Sequence, residues 1–229
     1  MTRSPWHSLL ALLVIWAAPA LGADIRVTGE SSAAAAVSGR GVPSLPVTVP
    51  KGQILSGLSF AETGAICALE VEHRTPDRAQ SGTGRFDACR SNAPPADNTL
   101  RARPGHAITE IRACLDQAGR GLEGIVITTT PDFCVADPTL WVERETGAPF
   151  RLRVRTEDGF LRPPSSYARP CSWSVQRHTV SDARPGCGRW QPVSSCPPGF
   201  AMTGFDIAMT GGAVTGLRAR CNRLSLSQE

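Results

Sequence analysis

The sequence predicts an all-β fold of antiparallel hairpins or Greek keys, built from a repeat and stapled by disulfides. Three observations carry this expectation. A glycine-led, two-strand pattern occurs three times in the chain. From Leu45 onward, short apolar-alternating runs are separated by Gly, Pro, Asn and Asp. Eight cysteines lie beyond the first 23 residues.

The N-terminus reads as a leader. Arg3 and His7 precede the apolar run Leu9 to Ala18, small residues follow at Ala20 to Ala23, and the first acid is Asp24. That pattern marks residues 1–23 as a secretory signal peptide. Its apolar run covers about 15–18 Å at 1.5 Å per residue, too short for a hydrocarbon core of ~30 Å. No later stretch is apolar enough to span, so no transmembrane segment is expected in the mature chain. Removing the leader from 229 residues leaves about 206, enough for one large domain or two small ones. Residues 24–46 show no sustained apolar period and read as a flexible lead-in. The β-repeat domain is expected over 47–229, with a split near 131–170.

Within that domain the three copies open at Gly52, Gly105 and Gly199. Each continues through an apolar residue, a Ser or Thr, a Gly or Glu, and another apolar residue: Leu55-Ser56-Gly57-Leu58, Ile108-Thr109-Glu110-Ile111 and Met202-Thr203-Gly204-Phe205. A second run follows: Ile66 to Val71, Leu122 to Ile127 and Val214 to Ala219. The period of two puts Cys67, Leu69 and Val71 on one face, and likewise Leu217, Ala219 and Cys221. Glu70 and Glu72, or Arg218 and Arg220, then face solvent. Gly57 and Gly204 mark bulges, which would let Leu55, Leu58 and Phe60 share a core face despite uneven spacing. Residues 108–118 also fit an amphipathic helix, and only the alignment to the other copies decides for strand. Between Thr130 and Cys196 the repeat is lost, leaving either a diverged fourth unit or an inserted sheet. There, Phe150, Leu152 and Val154 alternate with Arg151, Arg153 and Arg155.

The eight cysteines, Cys67, Cys89, Cys114, Cys134, Cys171, Cys187, Cys196 and Cys221, read as four disulfides in an exported chain. Zinc sites favour tight Cys-x-x-Cys pairs, and the closest two cysteines here are nine positions apart. Connectivity is open in principle, and sequence neighbours are the expected partners: Cys67 with Cys89, Cys114 with Cys134, Cys171 with Cys187, Cys196 with Cys221. The formal net charge of +4 is too mild for a nucleic-acid binder, which concentrates basic residues on one face.

Residues 196–221 resemble the repeat of vitelline membrane outer layer protein I. The shared features are Cys196-Pro197, Gly199, Thr203-Gly204-Phe205, Gly216-Leu217-Arg218 and Cys221, with Trp190 just upstream. The copies at 51–73 and 104–128 match more weakly. They lack a Cys-Pro start, and Met209 to Gly212 replaces that family's acidic turn. The resemblance implies a β-prism of three sheets about a pseudo-threefold axis and a secreted structural or glycan-associated role without established catalysis.

Catalytic signatures are weak. Gly119-x-Gly121-x-x-Gly124 matches a dinucleotide fingerprint by letters but leads into a strand rather than a helix. His73, His106 and His178 belong to no hydrolase motif. Glu143 with Glu145, or Glu157 with Asp158, are carboxylate pairs that fit solvated edges better than a glycosidase site. No catalytic residue, cofactor or metal is expected. The most suggestive exposed feature is the stripe of Arg151, Arg153 and Arg155. Its guanidinium groups, ~6.5–7 Å apart along a strand, suit sulfates, phosphates or uronates on a polymer. The bland alternative is a charged edge that discourages aggregation. The expected function is therefore that of an exported, periplasmic or extracellular, non-enzymatic β-repeat protein, either structural or binding a glycan or envelope component, with an anionic glycan as the partner the stripe suits. A secreted hydrolase of polysaccharide or peptide, and an inhibitor of a secreted enzyme, are the alternatives.

Overall fold

The computed structural model describes residues 24–62, 66–89, 98–143, 145–146, 148–151, 168–171, 176–179, 187 and 189–227. The leader read over residues 1–23 lies outside them. The chain begins with three short strands, β1 (Ile25–Ser31), β2 (Val37–Gly39) and β3 (Leu45–Thr48). The first hairpin is β4 (Ile54–Glu62) and β5 (Ile66–Arg74), followed by β6 (Ser81–Asp87) and β7 (Asn98–Arg101). The second is β8 (His106–Leu115) and β9 (Leu122–Pro131), which leads into the short helix α1 (Asp132–Ala136). Then come β10 (Trp141–Glu143), β11 (Pro149–Phe150), β12 (Ala168–Pro170), β13 (Gln176–Thr179), β14 (Arg189–Trp190) and β15 (Ser194–Ser195). The third hairpin is β16 (Phe200–Thr210) and β17 (Ala213–Leu226).

Each hairpin is the centre of an antiparallel sheet, and each sheet is completed by a strand borrowed from elsewhere in the chain. The orders are β6-β5-β4-β7, β13-β9-β8 with β14 and β15 along the β8 edge, and β1-β17-β16-β3 with β2 also on β17. The linker strand before one hairpin pairs with a different hairpin. β3 precedes the first and joins the third, β7 precedes the second and joins the first, and β15 precedes the third and joins the second. The ring is thereby interlocked, and β1 closes it against the C-terminal strand.

The repeated letters have local causes. In each copy a tight turn, Pro50–Gln53, Arg103–His106 or Pro197–Phe200, is closed by an amide-to-carbonyl bond of 3.1, 2.9 or 3.1 Å. Its third residue, Gly52, Gly105 or Gly199, has φ of 83°, 80° or 88°, the left-handed value a type II turn requires and glycine supplies without strain. The register then skips one residue, Ser56, Thr109 or Thr203, as a bulge. The carbonyl of that residue accepts from the borrowed strand: Ala102 N to Ser56 O at 2.8 Å, Cys196 N to Thr109 O at 2.8 Å, Val49 N to Thr203 O at 3.0 Å. A second skip falls at Cys67, Glu123 and Thr215 on the returning strands.

Those bulges turn six equivalent positions per hairpin into one shared core. Leu55, Ile108 and Met202 correspond, as do Leu58, Ile111 and Phe205; Phe60, Ala113 and Ile207; Ile66, Leu122 and Val214; Leu69, Ile125 and Leu217; and Val71, Ile127 and Ala219. All eighteen belong to a single buried cluster. Three sheets around one interior make the molecule all-β and β-prism-like, and residues 106–115 are strand, as the repeat alignment required. Two serines stitch neighbouring sheets: Ser38 Oγ accepts from Ala113 N and Ser194 Oγ from Ala219 N, each at 2.8 Å and fully buried.

Several expectations need correction. Residues 24–46 are not a loose lead-in, because they carry β1, β2 and the start of β3. Their strands are short and half-exposed, so no apolar period announces them. All eight cysteines are paired, with Cys67–Cys89 and Cys196–Cys221 as expected. The other two pairs are nested, Cys134–Cys171 inside Cys114–Cys187, in place of the expected Cys114–Cys134 and Cys171–Cys187. The reason is the insert between β9 and β13. Its small sheet, β11-β10-β12, forms a satellite cluster from Leu140, Val142, Cys134 and Cys171, and the inner bridge clips the two ends of that excursion together. In the chain-entropy account the loops of 73 and 37 residues contribute about 4.4 and 3.8 kcal/mol, taken singly.

The insert is anchored by a buried ion pair. Arg74 Nη2 lies 2.9 and 2.7 Å from the two Asp132 oxygens and donates to the His106 carbonyl at 2.9 Å. Burial pushes the Asp132 carboxyl above its ordinary range, against the opposing pull of Arg74.

Candidate functional site: a polar groove on the third sheet

Along β17 the outward positions fall at Arg218 and Arg220, opposite the core residues Leu217, Ala219 and Cys221. Like charges two residues apart on a strand stand ~6.5–7 Å from each other and repel. The neighbouring strand answers with Asp206, in register with Arg218. Its Oδ2 accepts from Arg218 Nε and Nη2 at 3.1 and 2.8 Å, and its Oδ1 accepts from Arg220 Nε at 2.5 Å. Asp206 is buried, with a side chain 7 % exposed, whereas the two arginine side chains remain 30 % and 46 % exposed. One carboxylate between two guanidinium groups leaves one positive charge in excess.

This cluster floors a groove of about 330 Å³ on the outer face of the third sheet. The β1–β2 connection, Ser31 to Ala34, forms one wall, and Thr48 of the borrowed β3 contributes to the other side. The wall is held by the Ser32 amide, which donates to the Cys221 carbonyl at 3.0 Å. Thr203, the bulged residue, turns its hydroxyl into the same space and donates to Asn222 Oδ1 at 2.7 Å. The groove is thus lined by the two arginines, by the hydroxyl residues Ser31, Ser32, Thr48 and Thr203, and by Ala33 and Ala34.

The other two sheets lack this arrangement at equivalent positions. The first has Ser59, Glu70 and Glu72, where Ser59 bonds Thr99 at 3.0 Å and Glu72 pairs with Arg101 at 2.6 Å. The second has Arg112, Val126 and Thr128, with the Arg112 guanidinium carbon 5.6 Å from the Trp190 ring centre. At these equivalent positions, among the described residues, the third sheet alone brings two arginines and an acid together.

The anticipated stripe fares differently. Arg151 follows the two-residue β11, is 57 % exposed and pairs with Asp137 at 3.0 Å. Burial alone would raise the Asp137 carboxyl, but hydrogen bonds from Thr139, together with Arg151, hold it below the ordinary value. Arg153 and Arg155 lie outside the described residues. Among the described residues, no group of three or more His, Cys, Asp or Glu is placed to hold a metal ion, and no helix is long and apolar enough to cross a membrane. Sequence reasoning placed Arg218 and Arg220 on the solvent face but missed Asp206. Asp206 faces Arg218 only through the bulged register of the hairpin, which the letters of the repeat do not state.

No family model matches the chain, and no curated protein matches it. Solved structures of low identity do. The wild-type Malaysian banana lectin is similar with a TM-score of 0.38 and 11% identity, over 83% of this chain and 98% of that one. Calystegia sepium agglutinin has a TM-score of 0.44 and 10% identity, over 82% and 97%. A mannose-binding jacalin-related lectin from Ananas comosus has a TM-score of 0.37 and 9% identity, over 83% and 97%. The strand pairing and the shared core define the fold.

Proposed function

We propose that this chain is an exported, non-enzymatic protein that binds acidic glycans through the groove on its third sheet. The observation that carries the reading is the Asp206–Arg218–Arg220 cluster. Its two planar forks are pre-positioned by a buried carboxylate and keep exposed N–H groups beside a row of hydroxyls. Guanidinium forks match carboxylates and sulfates bidentately, and hydroxyls with alanine methyls suit a pyranose ring. Export is supported by the leader read over residues 1–23 and by four disulfides, which persist in oxidising compartments. The resemblance of residues 196–221 to the vitelline membrane outer layer protein I repeat agrees with a secreted, glycan-associated role. Arg151, Arg153 and Arg155 are a second candidate contact on the same polymer.

Calorimetric titration with oligogalacturonate at low salt tests the reading. Binding is expected to weaken at least tenfold in Arg218→Ala/Arg220→Ala and to fall as salt rises. Equal binding by wild type and double variant would remove the groove from the account. Arg151→Ala read in the same assay decides the second contact, and shortening of the oligosaccharide during titration would favour a hydrolase instead.

A further inference from the structure

We propose that Asp206 sets the charge selectivity of the groove, limiting it to saccharides with one anionic group per residue and disfavouring densely sulfated polymers. This rests on the glycan-binding reading and concerns the same site. Both oxygens of Asp206 are occupied, by the Nε edge of Arg220 and by Nε and Nη2 of Arg218. The acid therefore does two things. It holds two like charges side by side, and it cancels one of them before any ligand arrives. The exposed remainder, chiefly the outer edge of the Arg220 guanidinium, offers one fork of N–H donors, which suits a single carboxylate or sulfate. A second ligand anion placed close by would face the buried negative charge of Asp206 through a short, poorly screened distance.

The equivalent position in the first sheet is Ser59 and in the second Arg112, so the repeat itself does not demand an acid here. An acid at that place in the third sheet alone, where both returning-strand partners are arginine, points to a local electrostatic task. Asp206 acts through the two arginines and is a positioning residue with respect to ligand.

The test compares wild type, Asp206→Asn and Arg220→Gln against oligogalacturonate, a heparin-derived oligosaccharide and inorganic sulfate. Asp206→Asn is expected to bind the heparin fragment roughly five- to tenfold tighter at low salt. Its preference for heparin over oligogalacturonate should rise, and its affinity should fall more steeply with salt. Sulfate should raise its melting temperature more than that of wild type. A purely structural role would weaken all three probes together and leave the salt dependence unchanged, and that result would overturn the inference. Should Asp206→Asn fail to fold, Asp206→Ser takes its place, carrying the residue found at the equivalent position of the first sheet. The sulfate arm separates two failures. If no glycan binds wild type but Asp206→Asn gains sulfate-dependent stability, the glycan reading falls and the charge role of Asp206 stands. If oligogalacturonate binds wild type and Asp206→Asn changes neither preference nor salt response, the reverse holds.

Discussion

Replacing Gly204 by alanine should damage the fold far more than the same change at Gly57, although the two occupy equivalent places after the bulge. Gly204 has φ of 149°, and a Cβ there would lie 2.2 Å from the Val47 carbonyl oxygen and 2.9 Å from the Thr48 Cα. Both contacts are backbone atoms of β3, so no side chain can swing aside. Relief requires β3 to part from β16, which exposes the pairing of Gly204 with Thr48 and Phe205 with Val47. Backbone strain of about 1–3 kcal/mol and one or two ladder hydrogen bonds at about 1 kcal/mol each together give about 2–5 kcal/mol. For a chain of this size that lowers Tm by roughly 4–20 °C. At Gly57 the three atoms nearest an added methyl all belong to the Glu72 side chain, with Oε2 at 2.7 Å, and φ lies outside the left-handed region. Glu110 already occupies the corresponding site of the second hairpin. Gly57→Ala should therefore cost less than about 1 kcal/mol, with part returned by reduced unfolded-state entropy. Thermal and guanidinium unfolding of the oxidised protein, followed by circular dichroism, measures both. Gly204→Ala within about 0.5 kcal/mol of wild type would refute the close approach of β3 and the reasoning built on it.

Three further outcomes follow from buried polar groups and from the bridges. Arg74→Met should cost about 3–5 kcal/mol in urea unfolding at pH 7, because it strands the Asp132 carboxylate. An acid whose folded pKa is raised favours folding only while protonated, so that deficit should shrink as pH falls toward 3.8. Ser194→Ala leaves the buried Ala219 amide without its acceptor and should cost about 1–3 kcal/mol in the same measurement. Non-reducing tryptic mapping should recover Cys114 joined to Cys187 and Cys134 to Cys171; Cys114 joined to Cys134 would contradict the placement of the insert.

The hairpins were legible in the sequence because their physics is local. Gly52, Gly105 and Gly199 announce turns, Gly57 and Gly204 announce bulges, and the period of two assigns Leu69, Val71, Leu217 and Ala219 to the core. Cys196 and Cys221 bracket one hairpin and pair across it, so neighbourhood in sequence matches neighbourhood in space. The borrowed strands were not legible. β3 is four residues long, contains Pro46 and is mostly exposed, so it reads as a linker; its partner lies more than 150 positions away. Cys114 and Cys187 were mispaired for a related reason, since a 73-residue excursion leaves no local trace. The groove was half visible. Arg218 and Arg220 had the period of an outer face, but their partner Asp206 sits on the other strand, and only the bulged register brings it opposite.

The interlocked ring is tested most directly by native-state hydrogen exchange at three amides, those of Val49, Ala102 and Cys196, which donate to the bulge carbonyls of Thr203, Ser56 and Thr109. If the linker strands complete the sheets of other hairpins, all three should exchange as slowly as the inner-strand amides, opening only with global unfolding. Exchange at any of them within about tenfold of an unstructured peptide would contradict the ring and leave three separate hairpins in its place.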